Sequence, residues 1–216
     1  MSPLTSSPRL LKSGLVLVNA TTSLVDRIIT LQYNPDSLSR TLQVQATGES
    51  NDRSEALRLR GPAIETIKLE AEIDATDQLE FPDQNQPAVD YGIQPQLAAI
   101  ESMLHPTVEQ LTVRRTLAQV GTIEIAPMTA PLTLFIWSRS RILPVRVTEF
   151  SVTEEAFDPA LNPTRARVSL GMRVLSVDDL GFGHKGGGLF LSYLKGKEAL
   201  AKKVREVLDV PASAVA

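Results

Sequence analysis

The side chains best suited to chemistry in this chain are few and scattered. It has no cysteine and two histidines, His105 and His184. Without cysteine there are no disulfides, no thiolate nucleophile and no cysteine-based zinc or iron–sulfur site. Neither histidine has carboxylates at ligand spacing, so no metal site follows. His105 precedes Pro106 at the end of a helical pattern, where an imidazole can cap the last carbonyls. Asp74, Asp77, Asp83 and Asp90 lack the ordered ligand spacing of a calcium loop. Glu154 and Glu155 are adjacent, so in a strand they point to opposite faces and cannot share a substrate as an acid–base pair. Residues 181–188, GFGHKGGG, contain glycines but not the closing Lys-Ser/Thr of a phosphate loop, and read as a flexible linker. The expectation is a protein that is not an enzyme and uses no cofactor or metal.

Composition narrows the class. The chain has 216 residues, 43% of them hydrophobic, with a formal net charge of −3. That length holds one large domain, or one domain with appendages. The slight negative charge argues against a general nucleic-acid binder. The absence of cysteine fits folding in a reducing compartment. No apolar run approaches the ~20 residues of a membrane-spanning helix. Arg9 and Lys12 ahead of GLVLV at 14–18 mimic a signal peptide, but the apolar core is short and no small-residue cleavage site follows, so the run reads as a first strand.

The elements that would position these groups are mostly strands. Residues 1–11 read as a flexible N-terminus and 12–180 as one β domain. Residues 181–188 are the linker, and 189–216 a C-terminal amphipathic helix and tail. Strand patterns cover 12–19, 27–33, 38–46, 67–74, 132–137, 142–154 and 165–174. In 67–74, Ile67, Leu69, Ala71 and Ile73 face a core, and Lys68, Glu70, Glu72 and Asp74 face out. In 165–174, Ala166, Val168, Leu170, Met172 and Val174 share the core face, opposite Arg165, Arg167, Ser169, Gly171 and Arg173. The alternation slips by one residue between Val147 and Phe150, the mark of a β-bulge. Asn34-Pro35-Asp36 breaks one strand from the next, since proline cannot donate to a ladder. Residues 47–63 read as a projecting excursion, 75–92 as an acidic loop and 95–104 as one short amphipathic helix. The pattern leaves 107–130 unassigned. In the C-terminal helix, Phe190, Leu194, Ala201, Val204 and Leu208 form an apolar stripe for docking on a partner.

The order of these segments resembles a known family. LQYNPDSL at 31–38, then the alternating strand, the short helix, PLTLFIW at 131–137 and RVTEFSVTEEAFDPALNPTRARVSLGMRVL at 146–175 are similar to tube-type proteins of contractile injection systems, which are phage tail-like particles. The resemblance spans roughly residues 12–178. It implies a mainly β (α+β) fold, a tube-type antiparallel β-barrel or sandwich with one flanking helix. It also implies a homo-hexamer closed by edge-to-edge sheet pairing. The implied partners are the inner tube protein, the spike hub and other baseplate subunits, with assembly of the particle in the cytoplasm. Members that adapt tube to spike often carry a LysM module after the barrel, and this chain has only the basic helix there.

The expected function is therefore a structural ring subunit at the baseplate end of the inner tube. A tube terminator, an inner-tube subunit and an isolated β-barrel binding module are the alternatives. The Arg165/Arg167/Arg173 and Lys68/Glu70/Glu72 faces are candidates for lumen lining or ring contacts, and equally for an ordinary solvated face. No membrane span and no nucleic-acid partner are expected.

Overall fold

A strand places successive side chains on opposite faces, so alternation in sequence becomes a two-sided sheet. The structure, a computed structural model, describes residues 13–19, 22, 24–30, 35, 37–46, 58–119 and 130–204. Seven strands form one sheet: β1 Gly14–Val18, β2 Val25–Thr30, β3 Leu38–Gln43, β4 Ile64–Asp74, β5 Leu132–Ser138, β6 Arg141–Phe157 and β7 Pro163–Val174. Their order is β2-β1-β5-β6-β7-β4-β3, and every pairing is antiparallel. The mainly β, antiparallel architecture is as expected from the strand pattern and the resemblance together. The sheet is open, however, and does not close into a barrel: among the described residues β2 pairs only with β1, and β3 only with β4.

Two features follow the sequence closely. The register shifts between Val147 and Glu149, where the alternation slipped. The core face carries Ile67, Ala166, Val168 and Met172, each at 0% exposure. Helix α3 (Gln94–Glu101) covers that face with Leu97 and Ile100, and helix α6 (Lys185–Ala201) covers it with Phe190 and Tyr193.

Residues 75–92 are not a loop. They hold α1 (Thr76–Leu79), a 3-10 turn (Pro82–Gln84) and α2 (Gln86–Tyr91). Pro82, Pro87 and Pro95 sit in first turns, where the missing N–H is harmless and the fixed φ favours helix. Such polar single turns leave too little apolar periodicity to be read from sequence. The unassigned stretch contains α4 (Val108–Gln119), which buries no side chain.

The linker reading also fails in part. After α5 (Val177–Leu180), closed by a Ser176/Asp179 capping box, α6 begins at Lys185, so Gly186, Gly187 and Gly188 are helical. The His184 imidazole caps it, with Nδ1 accepting from the Gly186 N–H at 3.1 Å. These glycines permit close packing rather than slack. A Cβ on Gly187 would lie 2.2 Å from the Gly181 carbonyl oxygen, and one on Gly186 2.5 Å from Leu180. At Gly188 a Cβ would enter open space.

Gly187→Ala should therefore destabilise the fold by about 1–3 kcal/mol through overpacking. Gly188→Ala should stabilise it by roughly 0.5–1 kcal/mol through backbone entropy. Urea unfolding of both variants checks this, and equal small shifts would restore the flexible linker.

Candidate functional site

The register of β4 against β7 decides which polar side chains meet. Glu72 lies opposite Arg167, Glu70 opposite Ser169, Lys68 opposite Gly171 and Asp74 opposite Arg165. With Thr66 opposite Arg173, all six residues proposed for this face share one side of adjacent strands. Strand β6 extends the side, placing Arg146 opposite Arg173 and Glu149 opposite Gly171. Pairs form along it: Lys68–Glu149 at 3.5 Å, Arg167–Glu155 at 3.2 Å and Arg165–Glu72 at 3.2 Å. Arg173 reaches Asp179 of α5 at 2.7 Å. Basic and acidic groups are interleaved here, which suits a wet, roughly neutral surface more than capture of a polyanion. Lys68 and Glu149 are each about two-thirds exposed, and such pairs contribute under about 1 kcal/mol. They keep the face polar without holding the fold together.

Asp74 keeps the outward parity but is covered there, at 7% exposure. Burial raises its pKa, but hydrogen bonds from the Thr76 hydroxyl and N–H and from Arg165 outweigh that and hold it below the usual carboxylate range. At the β1–β5 end the same side of the sheet turns apolar. There Val16, Val18, Leu132 and Leu134 pack with Leu180 and Leu189.

A second polar cluster, not foreseen, lies on the core face. Glu65 is 3% exposed. Arg40 Nε donates to it at 2.6 Å, Lys197 Nζ at 3.2 Å and the Tyr193 hydroxyl at 3.3 Å. Lys197 Nζ also sits 4.3 Å from the centre of the Tyr193 ring. This carboxylate joins edge strand β3, its neighbour β4 and helix α6. Its parity with Ile67 was the available sequence signal.

The turn between β6 and β7 is built around Asp158. Its Oδ1 accepts from the Ala160 and Asn162 N–H groups, each at 2.8 Å, and Oδ2 from Asn162 Nδ2 at 2.9 Å. Leu161 adopts φ 66° and is 77% exposed. For a residue other than glycine this left-handed conformation costs roughly 1–2 kcal/mol. The helical segment 75–93 packs under the turn through Ala75 N–H to Thr164, Ile93 N–H to Pro163 and Asn162 Nδ2 to the Asp90 carbonyl.

Charge is partly sorted along the strand axis, with Arg165 at the turn end and Asp178 and Asp179 at the other as exceptions. Residues 75–113 contain no lysine or arginine, and Asp77, Glu80, Asp83 and Asp90 lie among them, near the turn. Arg58, Arg60, Arg139 and Arg141 belong to the opposite end of the ladder, where β4 and β6 begin.

The first two residues of the docking stripe, Phe190 and Leu194, pack on the chain's own sheet. Phe190 is buried in the core and Leu194 packs against it, whereas Val204 is exposed. Ala201 is also exposed, and Leu208 lies outside the described residues. Of the turn motif, Pro35 is described, and Asn34 and Asp36 are not. Among the described residues no group of three or more potential metal ligands occurs, and no helix is long and apolar enough to cross a membrane.

No protein-family model and no curated protein matches this chain. Among solved structures, a chain from the "tail of empty GTA particle computed with helical refinement, C6 symmetry" aligns at 11% identity with a TM-score of 0.31. The alignment covers 76% of this chain and 90% of that one. So low a score carries no argument about fold or function.

Glu65→Gln should lower the unfolding free energy by about 2 kcal/mol, since hydrogen bonds to a charged group are weakened inside the fold. Glu155→Gln, on the exposed face, should change it by less than about 0.5 kcal/mol. Chemical denaturation of the two variants distinguishes them.

A pH dependence follows from Asp158. Hydrogen bonds from the Asn162 side chain and backbone, then from Ala160, hold its pKa below the ordinary value of about 3.9 against slight desolvation. A carboxylate depressed in the fold stabilises fully above the unfolded pKa and loses that contribution as pH falls through the folded one. Amide exchange at Ala160 and Asn162, corrected for intrinsic rates, should accelerate only below about pH 4. Asp158→Asn should abolish that dependence.

Proposed function

We propose that this chain is a ring-forming structural subunit, without catalytic activity, at the baseplate end of the inner tube of a contractile injection system, where it adapts the tube to the spike hub. The observation that carries this reading is the open sheet. One face is covered by helices, the other is charged and uncovered over β4, β7 and β6, and the end strands β2 and β3 each pair on one side only among the described residues.

An unpaired strand presents a row of backbone donors and acceptors, and natural proteins normally blunt such edges with charge, proline or bulges. Here the end strands carry some charge, Asp26 and Arg27 on β2 and Arg40 on β3, but they also show exposed apolar side chains. Val25 is 56% exposed and Ile28 66% on β2, and Leu42 is 49% exposed on β3 with Val44 at 64% just beyond it. Pairing β2 of one copy with β3 of the next would satisfy both edges, and rotational closure would leave none. The polar sheet face would then line the hole or meet neighbouring layers. The number of copies and the place in the machine rest on the order of sequence motifs.

An inner-tube subunit repeated in many layers is the second reading. The acidic and basic ends of the strand axis favour it, because stacked identical layers would bring opposite charges together. Counting layers per particle separates the two.

Ile28→Lys tests the edge. The side chain is exposed, so the folded subunit should keep its stability within about 0.5 kcal/mol. Light scattering and negative-stain imaging should show rings for the parent chain, alone or with its tube and spike partners, and single subunits for the variant. A parent that stays monomeric and never co-purifies with tube, sheath or spike components contradicts the reading.

A further inference from the structure

We propose that the turn between β6 and β7 is an apolar knob that docks into a pocket at the far end of the same hairpin on a second copy of this chain. Leu161 crowns the turn at φ 66° with 77% of its surface in solvent. Glycine or asparagine would hold that conformation at little cost, and a solvated turn gains nothing from leucine. The backbone around it is fixed by the Asp158 hydrogen bonds, so the side chain is held out rather than free to fold back. Phe157 and Tyr91 stand beside the turn at 51% and 55% exposure.

The socket is a cavity of about 440 Å³ lined by Leu104, Leu132, Val147, Leu175 and Leu180, with Arg146 and His184 also in its wall. Strand β6 runs from Val147 at the socket to Phe157 at the knob, roughly 30 Å of extended chain. A subunit therefore cannot fill its own socket with its own knob. A two-fold dimer would set knob against knob and acid against acid. A head-to-tail arrangement joins the unlike parts and brings the acidic surroundings of the knob, Asp90 and Asp158, to the Arg146 side of the socket. In a ring subunit such a contact joins successive layers, so it supports the repeated-layer reading over the single adaptor ring; it uses neither β2 nor β3 and stands or falls separately from edge pairing.

The absence of native cysteine allows a direct test. Full-length Ala160→Cys, an exposed position beside the knob that leaves Leu161 intact, is mixed with full-length Ala130→Cys, an exposed position in the socket wall, and oxidised mildly. The expected product is the mixed dimer in at least tenfold excess over either homodimer, falling as salt is raised. Leu161→Gly should keep or raise the melting temperature while weakening head-to-tail association at least tenfold. A statistical mixture of disulfides, or association unchanged in Leu161→Gly, overturns the proposal. Repeating the cross-link with Ile28→Lys in both partners separates the ideas: the mixed dimer should persist there even though rings are lost.

Discussion

A β-strand has two faces, and burial of one does not oblige burial of the other. That constraint shapes most of this molecule. Strands β4 and β7 put aliphatic side chains at alternate positions under α3 and α6, and the intervening positions are free to carry charge. Each fully buried aliphatic side chain contributes about 1.5–3 kcal/mol, so the covered face alone supplies much of the drive to fold. The charged face adds little stability and is available for other work. Only toward β1 and β5 does that side turn apolar and become covered as well.

The second layer is tied to the sheet by a buried carboxylate rather than by apolar contact alone. Glu65 is deeply buried, and Arg40 from β3 and Lys197 and Tyr193 from α6 converge on it. A buried charge left with too few partners is costly, so the geometry of β3, β4 and α6 becomes mutually dependent. Edge strand β3 is in this way braced by the helix behind it. The close approach at Gly187 sets the other end of the same helix. Helix α6 is therefore part of the domain over its first turns, where Phe190 and Tyr193 are buried.

Legibility in the sequence followed periodicity. Strands with strict alternation, such as 67–74, were readable to within a few residues, and so was the slip after Val147, because a one-residue insertion inverts every following side chain. The polar face was readable for the same reason, since parity alone assigns Lys68, Glu70, Glu72, Arg165, Arg167 and Arg173 to it. What escaped was set by tertiary contact. Glu65 falls in phase with Ile67, but the strand pattern is read only from Ile67 on, and the partners that make a buried carboxylate tolerable come from β3 and α6. Asp74 has the outward parity but is covered because Thr76 and Arg165 close over it. Gly186 and Gly187 looked like slack because composition cannot distinguish a glycine that frees the chain from one that lets two backbones touch. Barrel closure came from the resemblance, and no residue pattern specifies whether β2 and β3 meet each other or another copy.

Amide hydrogen exchange on the assembled particle reaches the central claim most directly. If identical copies close through the two end strands, the outward N–H groups of β2 and β3 should be protected in the assembly to the level of β6 and β7, and should exchange quickly in the isolated subunit. End strands that exchange equally fast in both states, while β4 and β7 stay protected, would contradict the account.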